Sequence, residues 1–171
     1  MGTLQTPDGP ERIRGAVVLD DPFDEADASL VVVTNSPLPC EADVADDPAT
    51  TRDEEAEALA WWADGVEAAA AREGAVVVAF VLPGGDGEFD IGGAGAYWLA
   101  YRVIESGWED GERVIYEYED DRRATGTATL AAGGDTIDVS FEVGDWSGSV
   151  SAPPCDSAWL SGLIIDLFGG L

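Results

Sequence analysis

The residues able to do chemistry in this 171-residue chain are few in kind. Histidine and lysine are absent, and all eight basic residues are arginines, at positions 12, 14, 52, 72, 102, 113, 122 and 123. Without histidine there is no Ser-His-Asp or Cys-His nucleophile and no imidazole metal ligand. Without lysine there is no Schiff base and no phosphate-loop lysine. Chemistry is left to carboxylates, arginine, tyrosine, hydroxyls and two cysteines.

The carboxylates give two candidate clusters. Glu117 and Glu119 share one face of a strand-like run, and a carboxylate-only hydrolase would need two such acids converging in a cleft. Asp120, Asp121, Arg122 and Arg123 follow directly, so a solvated face with local ion pairs is the plainer reading. Glu41, Asp43, Asp46 and Asp47 crowd one loop and form a weak calcium candidate, because calcium accepts oxygen ligands alone. No other metal site is expected, and no cofactor. Gly84 to Asp90 carries one copy of a glycine- and aspartate-rich stretch and reads as a hairpin turn. Gly92-Gly93-Ala94-Gly95 lacks the third glycine of a dinucleotide fingerprint.

The aromatic residues suggest a ligand pocket. Tyr97, Tyr101, Tyr116, Tyr118 and Trp146 fall on alternating positions of runs that read as strands. If those faces converge, the five rings would wall a concave pocket; otherwise they form an aromatic core. Trp98 takes the face opposite Tyr97 and would mark a contact patch if exposed beside Trp61 or Trp108.

The cysteines are Cys40 and Cys155. Each ends a short proline-containing loop, Ser36-Pro37-Leu38-Pro39-Cys40 and Ala152-Pro153-Pro154-Cys155, directly after an apparent strand. That match favours one disulfide and an oxidising compartment. Two reduced thiols are the other reading. A zinc site would need two carboxylates to complete it.

The elements that must position these groups are mostly strands. Ala16 to Leu19 and Leu30 to Val33 are continuous apolar runs, as is Ala75 to Leu82, so both faces of these strands should be covered. Thr51-Arg52-Asp53-Glu54 has capping-box spacing, and Leu59, Trp62, Val66, Ala69 and Ala70 recur at helical spacing before Gly74. From Phe89 to Val150 the period is two, with turns at Glu109-Asp110-Gly111, Gly133-Gly134-Asp135 and Gly144-Asp145. Leu160, Leu163, Ile164, Leu167 and Phe168 give a final amphipathic stretch. The organisation expected is a flexible tail over 1–12, one β-rich domain over 13–155 with a helix over 51–74, and a short apolar C-terminal helix over 156–171. The fold class is α+β, mainly β: an antiparallel meander curved into a sheet or small barrel against one helix, with a β-sandwich as the alternative.

The charge excludes whole classes of partner. Thirty-five acids against eight arginines give −27, with 46% hydrophobic residues. Such a surface repels nucleic-acid phosphates and anionic membranes. It suits salty water, where screening is short-ranged, so a halophilic or marine source explains it, with an acidic binding function as the alternative. No transmembrane segment is expected, and the first ten residues lack the cationic and apolar parts of a secretory leader. An exported chain starting here would be a mature form. A protein partner could use the apolar C-terminal helix.

One resemblance bears on location. Gly126-Thr127-Ala128-Thr129-Leu130, then 137–143, then Trp146-Ser147-Gly148-Ser149-Val150-Ser151-Ala152-Pro153-Pro154-Cys155 resemble the ends of exported β domains in myxobacterial lipoproteins. Those domains close with a glycine-rich strand and a cysteine that pairs with one near the first strands. The lipobox cysteine of such proteins has no counterpart here. The resemblance implies an extracellular or cell-envelope location and assigns no activity; cytoplasm of a halophile is the alternative. The function expected is a non-catalytic binding or structural module at a cell surface. The alternatives are a small-molecule carrier with an aromatic-lined barrel and a carboxylate-only hydrolase.

Overall fold

The computed structural model describes residues 2–20, 28–38, 65–93 and 95–155. Within them lie β1 (Thr3–Thr6), β2 (Gly9–Arg12), β3 (Gly15–Asp20), β4 (Ala28–Thr34), β5 (Val76–Pro83) and β6 (Gly87–Ile91). There follow β7 (Tyr97–Glu109), β8 (Glu112–Asp121), β9 (Gly126–Ala132), β10 (Ile137–Val143), β11 (Trp146–Ala152) and β12 (Pro154–Cys155). They form two six-stranded sheets. The first has the order β2-β1-β11-β10-β9-β6 and the second β12-β3-β4-β5-β7-β8. Every pairing is antiparallel except β12 with β3.

The described residues are therefore mainly β, as expected, but their strands do not close into a barrel. Among the described strands each sheet keeps two edges, and the sheets stack on a shared core. One buried cluster draws from both: Leu4, Ala128, Val139, Phe141 and Trp146 from the first, and Val18, Val31, Val78, Phe80 and Trp98 from the second. The Phe80 and Phe141 rings meet across the interface at 5.0 Å between centroids, inclined at 56°. This is the two-sheet sandwich, the alternative reading. Gly92 and Gly95 mark the crossing between the sheets. Both have positive φ, at 89° and 85°, and they lie where the chain leaves β6 in one sheet for β7 in the other.

The apolar patterns match the layers. In β3, β4 and β5 alternate residues feed two different clusters. Val18, Val31, Val33, Val76 and Val78 enter the inter-sheet core. Val17, Leu19, Leu30, Val32 and Val77 enter a second cluster on the far face. Val66 and Ala70, from the helical residues 65–70, belong to that second cluster with Leu38 beside it. The rest of the helix expected over 51–74 lies outside the described residues, as does the C-terminal helix expected over 156–171. β9, β10 and β11 bury only one face, and their other face is wet.

The flexible tail expected over 1–12 is instead the β1–β2 hairpin. β1 pairs with β11, placing Leu4 opposite Gly148, and Leu4 is fully buried. Gly148 is needed there, since a Cβ would stand 2.8 Å from the Phe141 ring. A polar clasp holds the hairpin to the second sheet. Arg102 of β7 places Nε 2.9 Å from Asp8 Oδ2 and Nη2 3.2 Å from Glu11 Oε1, and it donates to Thr6 Oγ1 at 3.2 Å. Asn35 continues the network, donating to the Gly74 carbonyl at 3.0 Å and accepting from the Val76 amide at 3.0 Å. Arg72 donates to Ser36 Oγ at 3.0 Å, and Ser36 in turn donates to the Ala69 carbonyl. Asn35 and Ser36 are thereby satisfied, whereas Arg102 Nε pairs with Asp8 by charge alone and makes no hydrogen bond among the described residues, so the clasp reads as architectural.

Few ion pairs join the described residues to one another. The described ion pairs are Arg102 with Asp8 and with Glu11, and Arg122 with Asp120. With a charge of −27, the thermal midpoint should rise by roughly 5 °C between low salt and molar NaCl as repulsion is screened. A flat or falling midpoint in a salt series of melting curves would show that the acids are already compensated.

Candidate functional site

The five aromatics expected to share a pocket are dispersed. Trp146 is buried in the inter-sheet core. Tyr101 is buried in the cluster on the far face of the second sheet, edge-on to Tyr118 at 6.1 Å. Tyr97, Tyr116 and Tyr118 are exposed. The second sheet separates Trp146, in the inter-sheet core, from Tyr101 on its far face, so the five rings line no common cavity. Burial raises the Tyr101 phenol well above its ordinary value. The Tyr116 hydroxyl donates to Glu109 at 3.0 Å, which raises its pKa as well. Trp98, considered for a contact patch, is buried, whereas Trp108 is exposed; Trp61 lies outside the described residues.

The carboxylates do not converge either. Glu117 and Glu119 sit exposed on β8, an edge strand, opposite Glu105 and Arg102 respectively. The calcium candidate Glu41, Asp43, Asp46 and Asp47 lies outside the described residues. Among the described residues no three acids or cysteines are grouped to hold a metal ion. No described helix is long and apolar enough to cross a membrane.

Cys155 is buried at the end of β12, and no described cysteine is free. Cys40 lies outside the described residues. The chain approaching it does not: Leu38 packs against the same cluster as Cys155, and Leu38 and Pro153 line one hollow of about 410 Å³.

An open site lies on the wet face of the first sheet. A shallow groove of about 480 Å³ runs over β1, β11, β10 and β9. Its walls follow from strand register. Thr3, Ser149, Ser140 and Thr129 stand in one cross-strand row, and Gln5, Ser147, Glu142 and Thr127 in the next. β6 extends the rows with Glu88 opposite Thr129 and Asp90 opposite Thr127. A third row holds Ser151, which donates to Asp138. The alternation that puts Ala128, Leu130, Val139 and Phe141 inward puts these hydroxyls outward.

Each hydroxyl is both donor and acceptor, and Gln5 and Glu142 flank Ser147 with planar groups suited to paired hydrogen bonds. Gln5 donates its amide to the Thr6 carbonyl at 3.0 Å, leaving its side-chain oxygen available. No arginine lines the groove, and Glu142 is the one carboxylate among its lining residues. The hydroxyl pattern at 127, 129, 147, 149 and 151 is present in the sequence, where it reads only as a wet strand face. Its assembly with Thr3 and Gln5 needs the unforeseen β1–β11 pairing.

No protein-family model matches the chain, and neither a curated protein nor a solved structure matches it.

Proposed function

We propose that this protein is a non-catalytic binding module whose site is the hydroxyl-lined groove on the first sheet, and that its ligand is a neutral polyhydroxylated molecule, an oligosaccharide in the first instance. The carrying observation is the two cross-strand rows Thr3-Ser149-Ser140-Thr129 and Gln5-Ser147-Glu142-Thr127. They present regularly spaced donors and acceptors on a rigid sheet, and a sugar presents the same alternation of donor and acceptor. Glu142, Glu88 and Asp90 disfavour an anionic ligand.

The module acts outside the cell or in the cell envelope, in marine or saline surroundings. The reading rests on the acidic surface, the cysteine pair and the resemblance to exported domains. The neighbourhood shared by Leu38 and Cys155 supports a Cys40–Cys155 disulfide.

Calorimetric titration with neutral oligosaccharides tests this. We expect binding that Gln5→Ala with Glu142→Ala weakens by about tenfold or more, the loss of two or three ordinary hydrogen bonds. Exposed sites of this kind should leave the melting temperature nearly unchanged. Equal binding by the variant, or preference for sulfated and uronic sugars, would overturn the assignment.

A further inference from the structure

β8 is a ten-residue strand at the open edge of the second sheet, and no described strand pairs with its outer side. An edge of this length offers a row of unpaired backbone donors and acceptors. Its side chains say what would pair with it. Half of its residues are acids, Glu112, Glu117, Glu119, Asp120 and Asp121. The β7–β8 ribbon also sets Glu105 directly opposite Glu117 and Glu109 opposite Glu112. Like charges in direct cross-strand register oppose folding. No described arginine forms an ion pair with any of these four. Exposed Trp108, Tyr116 and Tyr118 lie on the same ribbon. The molecule already shows what such a ring accepts: the Arg113 guanidinium sits 5.5 Å from the centre of the Trp108 ring.

We propose that the β8 edge docks an extended arginine- or lysine-rich segment of a partner protein, which adds as a further strand to the second sheet. Backbone hydrogen bonds along β8 supply the register. Cationic side chains on alternate positions share one face of the added strand, on which they relieve the opposed Glu105–Glu117 pair. A second copy of this chain fits badly, because β8 against β8 would bring its five acids face to face. A divalent ion fits badly too, since among the described residues no third acid joins either glutamate pair. This surface is on the other sheet from the groove and does not depend on it.

The test is fluorescence anisotropy of the intact protein with a labelled decapeptide that alternates arginine and valine. A matched peptide N-methylated along one edge keeps the charge but not the strand pairing. We expect saturable binding that weakens between 50 mM and 500 mM NaCl, as screening of exposed charges requires (values on the order of those salts bracket the change in Debye length). N-methylation should cost about tenfold or more, equivalent to two lost hydrogen bonds. Glu105→Gln with Glu117→Gln should weaken binding about fivefold, the worth of two partly exposed charge pairs. That variant removes a repulsion, so its fold should be retained or strengthened. Equal affinity for the N-methylated peptide would reduce the interaction to unstructured charge attraction and overturn strand addition. Absence of binding at low salt, or dimers through β8 in sedimentation, would also overturn it.

Discussion

Phe141→Ala should lower the unfolding free energy by about 3–5 kcal/mol, the range for deleting a buried phenylalanine ring. The ring is 3% exposed and touches Phe80 from the opposite sheet, and it lies across the backbone of Gly148. Its removal opens a void between two sheets whose backbones are held by their own ladders and cannot collapse to fill it. Tyr116→Ala, at an exposed position, should stay within about 0.5 kcal/mol of the parent. Chemical denaturation at fixed salt measures both. A small effect at Phe141 would mean that the sheets do not share one core.

Reduction of the Cys40–Cys155 bond we propose should be of similar size. Closing so long a loop stabilises by about 4–5 kcal/mol in the chain-entropy account. The unreduced protein should be lighter by two hydrogens than its reduced form. Cys155→Ser should then melt at a lower temperature, and reductant should not lower it further. Quantitative alkylation of both thiols without reductant would remove the bond, and with it part of the support for an oxidising compartment.

Much of the fold was legible in local pattern. Alternation from 126 to 152 yields three strands with one wet face because only one side meets the core. The Asp110-Gly111 turn is legible because both residues adopt positive φ, 52° and 91°, the conformation this pair favours in two-residue hairpins. Continuous apolar runs in β3, β4 and β5 announce strands covered on both faces, and two clusters cover them.

Long-range pairing was not legible. β1 carries a single core residue, Leu4, among Thr3, Gln5 and Thr6, next to Pro7 and Pro10. Its strand character comes from β11, more than 140 positions away in the chain, and no local pattern records that partner. The crossing between sheets at 92–95 is equally silent, because period two reads alike whether consecutive strands share a sheet or oppose one another. The aromatic pocket failed for this reason. Alternation assigns a face within each strand, but it cannot say that Trp146 and Tyr101 belong to different sheets. The hydroxyl rows of the groove were visible strand by strand and acquired meaning only once β1, β11, β10 and β9 were set in register.

The central claim is that the first sheet's wet face binds a neutral polyhydroxylated ligand. It is tested most directly by an NMR titration with labelled threonine methyl groups. On adding a neutral oligosaccharide, the signals of Thr3, Thr127 and Thr129 should shift together and saturate. Thr34, buried in the second sheet, should stay in place. Shifts confined to threonines outside the groove, or none at saturating sugar, would contradict the assignment.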